Sequence, residues 1–300
     1  MNDSIEHEFK AMGSNFYVKL SSANKELLTQ AENEVLRLER IWSRFLPDSE
    51  ITLLNNSDGK PVFASQETIL LVKKMIEAFR ITKGIYDPTI LPELIKAGYK
   101  SSLVNPSLVT KLSKKATWPG ELLKTQIQGN LIFLPEGTTL DPGGIGKGIA
   151  ADLVCEKLIK EGAAGCLVSA GGDIRVKGLP ANRPNWLISI EDPEDKESVI
   201  SQVKLIDGAV ATSSRLKRKF SEDANHLIDT RKGKSATSAV QSVTVVAHNA
   251  ALAEVLCKVP FGSELDDALR LIENQKSAAL VVTEDQMIHT SPSWRRYENE

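Results

Sequence analysis

Residue types that can do chemistry gather most densely in Asp141-Pro142-Gly143-Gly144-Ile145-Gly146-Lys147-Gly148, where four glycines fall within six positions. Glycine leaves backbone N–H groups unshielded, and Ile149, Ala150, Leu153, Val154 and Leu158 predict a helix that opens from this loop. The amino end of a helix carries open donors and a partial positive charge. The segment is therefore suited to an anion such as a phosphate, with Lys147 adding a mobile charge. The same spacing also suits a tight strand-to-helix turn that needs glycine only for its dihedral angles. The motif alone leaves both readings open. Neither standard nucleotide fingerprint applies, because Asp141 stands where a Walker loop needs glycine and Ile149 ends a GxGxxG run.

Three further segments are unusual in composition. Gly171-Gly172-Asp173 follows an apolar run and reads as a turn. Thr212-Ser213-Ser214 precedes Arg215, Lys217, Arg218 and Lys219, a basic run that reads as a solvated face. His226-Leu227-Ile228-Asp229-Thr230-Arg231 places an imidazole, a carboxylate and a guanidinium around a predicted strand end. A lone histidine is more often structural than catalytic, and His7, His248 and His289 are read that way. The absence of GxSxG, HExxH and CxxC patterns excludes the commonest serine hydrolases and zinc enzymes.

The elements that must position these residues follow from periodicity. Phe16, Val18 and Leu20 alternate as a strand. Leu27, Ala31, Val35, Leu38 and Trp42 share one face of a helix running from Asn24 to Trp42, and Ile69, Val72, Met75 and Phe79 share a face from Gln66 to Thr82. The second half is richer in strands: 165–170, 173–177, 186–191, 199–206, 241–247 and 278–283. Helices over 249–259 and 265–274 interrupt them. Without regular alternation, this order predicts an α+β fold with mostly antiparallel sheets, and no stretch of 1–300 is a convincing linker, so one domain is expected.

Composition bounds the rest. With 37 basic and 39 acidic residues among 300, the net charge of −2 offers no general field for nucleic acid, so any anionic ligand needs a local site. Cys155, Cys166 and Cys257 lie in apolar contexts and read as small buried hydrophobes. No apolar run reaches the length of a membrane span. The polar start Met1 to Glu8 predicts a cytoplasmic protein; removal of a leader would make it periplasmic or membrane-anchored.

Taken in order, these segments resemble the FAD:protein FMN transferase family, also called the thiamine-biosynthesis-lipoprotein family. The matching pieces are Ala11-Met12-Gly13-Ser14, Ser43-Arg44-Phe45 with Asp48-Ser49-Glu50 and Asn55, and Gly84 to Thr89. They continue through Asp141 to Gly148 with Asp152, Gly171-Gly172-Asp173, Asp192-Pro193, Ala211-Thr212-Ser213, His226 to Gly233, and Ser242 to Val246. The resemblance implies two fused units similar to the tunnelling fold. It also implies transfer of FMN from FAD to a Ser or Thr hydroxyl of an acceptor flavoprotein, with release of AMP. Alternatives are an FAD pyrophosphatase, or an FAD-binding member with a degraded metal site. By the same resemblance Met12, Phe45, Ile85, Tyr86, Asp87, Asp141, Lys147 and Ile228 contact FAD, while His226 and Asp229 handle protons. The family holds Mg²⁺ through a backbone carbonyl, here that of Gly144, and through an Asp and a Thr four residues apart. This chain has Glu254 and Lys258 at those two positions. A surface Glu–Lys pair one helical turn apart is the plain alternative.

Overall fold

A computed structural model of the chain describes residues 4–195, 197–215, 219–221, 224–225, 228–229, 234–235 and 239–299. Its first half contains β1 (Ser4–Ala11), β2 (Ser14–Ser21), α1 (Glu26–Trp42), α2 (Glu50–Asn55), β3 (Pro61–Phe63), α3 (Gln66–Ile81), α4 (Leu91–Lys96), β4 (Gln126–Gln128), β5 (Leu131–Phe133) and α5 (Gly146–Lys160). There follow β6 (Gly165–Ala170), β7 (Asp173–Gly178), β8 (Trp186–Glu191), β9 (Val199–Leu205), β10 (Gly208–Ser214), β11 (Lys219–Ser221), β12 (Ala224–Asn225), β13 (Ile228–Asp229) and β14 (Lys234–Ser235). The chain closes with β15 (Val240–Ala247), α6 (Ala250–Leu256), α7 (Leu265–Asn274), β16 (Ala278–Thr283) and β17 (Ile288–Thr290). The fold is α+β with antiparallel sheets, as the order of elements predicts.

The chain forms two compact units and crosses from one to the other four times. The first unit comprises residues 1–35, 147–217 and 237–300. Its frame is an eight-stranded sheet in the order β1-β2-β6-β7-β10-β15-β16-β17. Every neighbouring pair in it is antiparallel. β15 is buried at all eight positions, its polar Gln241, Ser242 and Thr244 included. The hairpin β8–β9 puts Trp186, Ile188, Ile190, Val203 and Leu205 into a core with Val176, Val210, Val246, Leu280 and Trp294. α6 lies against β10 and β15. Two tight turns close hairpins of this sheet. Met12-Gly13 joins β1 to β2 with φ of 50° and 67°, and Gly171-Gly172 joins β6 to β7 with φ of 65° and 100°. Paired positive φ values match the right-handed twist of the flanking strands, which is why glycine recurs at these tips.

The second unit comprises residues 36–146 and 218–236. It contains the end of α1, helices α2 to α4, and the small sheet β3-β5-β4. Ser65 caps α3 by accepting from Thr68 N at 3.3 Å, and Trp42 Nε1 donates to Thr68 Oγ1 at 3.1 Å. Asn55, at the end of α2, donates to Leu140 O at 2.9 Å and accepts from Leu140 N at 2.7 Å. This amide clamp fixes the strand-like approach to Asp141.

Two strands run counter to the periodicity reading. β1 falls in the polar start of the chain, yet its Ile5, His7 and Phe9 alternate with charged residues along a sheet edge. Charge on the outer strand discourages pairing with another molecule. β10 is a run of small residues with low strand propensity, and it forms because both faces are covered. Among the described residues no helix is long and apolar enough to cross a membrane, and all three cysteines are free and buried.

Candidate active site

In the first unit, α5 starts beside the two hairpin tips. A Cβ placed on Gly171 would lie 2.7 Å from Ser14 Oγ and 3.9 Å from Lys147 Cδ, so both turns and the Lys147 side chain crowd one spot. The Lys147 ammonium donates to Asp173 Oδ2 and, at 2.8 Å, to Glu254 Oε1. Glu254 Oε2 accepts from the Gly148 backbone N–H at 2.8 Å. Gly148 is required for this approach, because a Cβ there would sit 2.6 Å from the backbone of Ala250. Glu254 is 3% exposed. Burial alone would raise its pKa, but Lys147 and Lys258 hold the carboxyl below its ordinary value. Burial also works against the Lys147 ammonium; Asp173 and Glu254 more than offset it and hold the pKa above that of an ordinary lysine.

Lys258 lies beyond the end of α6 and donates to the Glu254 backbone carbonyl. Burial pushes its ammonium below the usual lysine range, opposed by Glu254 and Asp173. The surface Glu–Lys pair is therefore corrected: Glu254 is buried, its carboxylate belongs to Lys147 and Gly148, and Lys258 meets its backbone. Asp152 on α5 sets α6 in place, accepting from Ala250 N at 2.8 Å and Ala251 N at 3.0 Å. Arg175 on β7 approaches the same carboxylate at 3.3 Å.

In the second unit, Asp141 turns inward. Its Oδ1 pairs with Arg44 Nε at 2.8 Å, and its Oδ2 accepts from Gly143 N at 3.3 Å, capping the short 3₁₀ turn Pro142–Gly144. Arg44 is a hub. Its guanidinium also donates to Thr110 Oγ1 at 2.5 Å and Tyr99 O at 3.0 Å, and lies 4.2 Å from the Phe45 ring and 4.5 Å from the Tyr99 ring. Phe45 is half-buried at the edge of Tyr99. Ile85 is half-buried, whereas Tyr86 and Asp87 are buried. Asp87 Oδ1 accepts from Thr89 N and Oγ1, both at 2.8 Å, and its Oδ2 accepts from Trp118 Nε1 at 2.9 Å. Asp141 N reaches Pro88 O at 2.7 Å, tying the Ile85–Asp87 segment to the glycine-rich loop.

The expected site residues thus separate into groups. Lys147, Glu254 and Lys258 come together in the first unit, near the Ser14 side of the turn that holds Met12. Phe45, Asp141 and the segment 85–87 belong to the second, with Gly144 in its 3₁₀ turn. Asp141 and Asp87 organise their own surroundings with the oxygens expected to face FAD. His226 lies outside the described residues; Ile228 and Asp229 form β13, paired with β14. Sequence reasoning missed the organising roles of Arg44, Asp152 and Asp173. Arg44 beside an aromatic was the sole local signal, since the partners of Asp152 and Asp173 are far along the chain.

The donor set does not suit Mg²⁺. That ion needs a near-octahedral shell of oxygens, but each Glu254 oxygen already accepts from a donor and an ammonium replaces the hydroxyl ligand. Among the described residues, no group of three His, Cys, Asp or Glu side chains could hold a metal ion.

The frame is an antiparallel α+β fold in which a glycine-rich loop opens a long helix and a largely buried lysine sits in that helix's first turn, an arrangement suited to an anion. The ApbE family matches residues 12–282, and the chain belongs to it. An FAD:protein FMN transferase of Vibrio cholerae serotype O1 is 30% identical over 233 residues, covering 74% of this chain and 69% of that one. One from Klebsiella pneumoniae is 23% identical over 308 residues, covering 99% and 96%. The solved ApbE protein of Thermotoga maritima superposes with a TM-score of 0.87 at 25% identity, over 99% of this chain and 100% of that one.

Proposed function

We propose that this chain transfers FMN from FAD to a Ser or Thr hydroxyl of an acceptor protein, releasing AMP. The observation that carries the reading is the loop at 141–148. It leads directly into a fifteen-residue helix and fixes an ammonium in that helix's first turn. A helix start and a nearby positive charge suit a diphosphate, and cleaving it requires stabilisation of charge that develops on the transferred phosphoryl group. Membership of the ApbE family and the names of the relatives support the same chemistry. In this reading Lys147 stands at the phosphate end and Arg44 holds Phe45 and Asp141 in shape. Met12, Phe45, Ile85, Tyr86, Asp87, Asp141 and Ile228 form the nucleotide side, some through the loops they brace. His226 and Asp229 serve the acceptor hydroxyl. The test is to incubate the purified chain with FAD and a Ser/Thr acceptor peptide, then measure covalent flavin by in-gel fluorescence and AMP by chromatography. Both products are expected. AMP without covalent flavin would assign an FAD pyrophosphatase instead.

The two carboxylates bound to Lys147 favour a second reading, an FAD-binding protein that turns over little. Retained FAD with neither product would identify it.

A further inference from the structure

We propose that Lys258 stands in for a divalent cation, so that this chain holds no Mg²⁺ at Glu254 and binds the FAD diphosphate without one. The inference rests on the FAD reading above. Asp173, Glu254, Lys147 and Lys258 form a quartet of two carboxylates and two ammonium groups, formally neutral without any ion. Three of its links are direct: Lys147 to Asp173, Lys147 to Glu254 at 2.8 Å, and Lys258 to the Glu254 backbone carbonyl. The side chains of Lys147, Asp173 and Glu254 are 14%, 8% and 3% exposed. A divalent ion placed here would add two uncompensated charges to a poorly solvated spot, where unpaired charge is strongly disfavoured. It would also have to take Glu254 from Lys147 or from Gly148 N, a contact that ties α5 to α6 beside the Asp152 cap. A protonated lysine offers no lone pair to a metal and repels it.

Removing that ammonium reverses the balance. Lys258→Thr leaves one net negative charge among the carboxylates and supplies a neutral oxygen, and Glu254→Asp shortens the carboxylate by one methylene.

The experiment has two arms. In the first, Mn²⁺ is titrated into the FAD-free protein and its binding followed by electron paramagnetic resonance. In the second, FAD binding is followed by flavin fluorescence in EDTA and in Mg²⁺. Expected results are no stoichiometric Mn²⁺ uptake, FAD affinity equal within about twofold in the two buffers, and a new Mn²⁺ site in the Glu254→Asp, Lys258→Thr double variant. Lys258→Met, which keeps the stem and deletes only the charge, should bind Mn²⁺ more tightly than the unmodified chain; circular dichroism checks that each variant is folded. Stoichiometric Mn²⁺ binding by the unmodified chain overturns the inference. So does FAD affinity that falls about tenfold or more in EDTA, and so does a folded double variant that takes up no Mn²⁺. Failure to bind FAD in either buffer would sink the FAD reading instead, and the FAD-free Mn²⁺ arm would still decide the role of Lys258.

Discussion

Arg44 and Asp141 show what a site residue does before any ligand arrives. Their side chains are 3% and 12% exposed, and the ion pair compensates the charge of a buried guanidinium that packs on two aromatic rings. Removing one partner of such a pair strands the other charge, a loss of about 3–5 kcal/mol. Asp141→Ala should fall near the lower end, because Arg44 keeps Thr110 and the Tyr99 carbonyl; Asp141→Asn should cost less. Urea denaturation measures both, and an unchanged midpoint for the alanine variant would show that the pair contributes nothing. Asp152 carries a pH dependence with the opposite sign to that of an ordinary paired carboxylate. Burial raises its pKa from 3.8 to about 6, despite the bonds from Ala250 N and Ala251 N and the nearby Arg175. A folded-state value above the unfolded one means that this group's favourable contribution is complete below about pH 4 and is lost as pH rises through about 6. Asp152→Asn should flatten stability between those values, while Asp152→Ala should cost about 1–3 kcal/mol by leaving the N–H groups without their acceptor. Chemical denaturation at several pH values separates the two effects.

At the scale of elements, the approach of α5 to α6 depends on the missing side chain of Gly148. A methyl group there would meet the Ala250 carbonyl carbon and oxygen at 2.6 Å and the Ala251 nitrogen at 2.7 Å, all of it backbone. Gly148→Ala must therefore separate the helices, detaching Glu254 from the α5 amide and loosening the quartet. A stability loss of about 2 kcal/mol or more is expected, typical of overpacked sites, together with weaker FAD binding. Gly146→Ala is the contrast: its Cβ would make an ordinary 3.5 Å contact with Pro142, so thermal melting should hardly change. Four glycines looked interchangeable in the sequence because composition does not reveal what lies opposite each one. The same limit explains the rest of the reading. α1, α3, β6, β8 and α7 were legible because one face of each is buried in a single period, and β16 because it is a short unbroken apolar run buried on both faces. β10 was not, since its Gly, Ala and Ser become strand only between covered faces. That a helix opens from the loop at 141–148 was legible from glycine spacing and the apolar face beyond it, but the partners of Lys147 and Asp141 were not. Asp173 and Glu254 are 26 and 107 residues from Lys147, and only the sheet order brings them together.

For the whole molecule, that sheet order is also the main vulnerability. β1 and β2 come from the first residues of the chain, yet β2 pairs with the full length of β6, Ser21 opposite Gly165 and Phe16 opposite Ala170. The two strands cannot pair until everything between them has been brought into place, a long-range closure that slows folding. Phe16, Val18 and Leu20 are fully buried; at about 1.5–3 kcal/mol for each buried side chain, they contribute on the scale of a typical protein's entire stability, about 5–15 kcal/mol. Deleting residues 1–21 should therefore do more than trim an edge. It would uncover the unpaired backbone of β6, whose Cys166, Val168 and Ala170 are fully buried, and an apolar edge of that kind recruits other chains. The truncated protein is expected to be insoluble or to aggregate on size-exclusion chromatography, with no cooperative thermal transition. Because β6 leads through Gly171-Gly172 to Asp173, the same deletion should also abolish FAD binding, although it removes only Met12 of the expected site residues. A single charge-reversing substitution on the outer strand, Glu8→Lys, leaves β2 paired and should keep both solubility and the melt. A truncated chain that stays monomeric and melts cooperatively would show that the remaining strands close a sheet without β1 and β2.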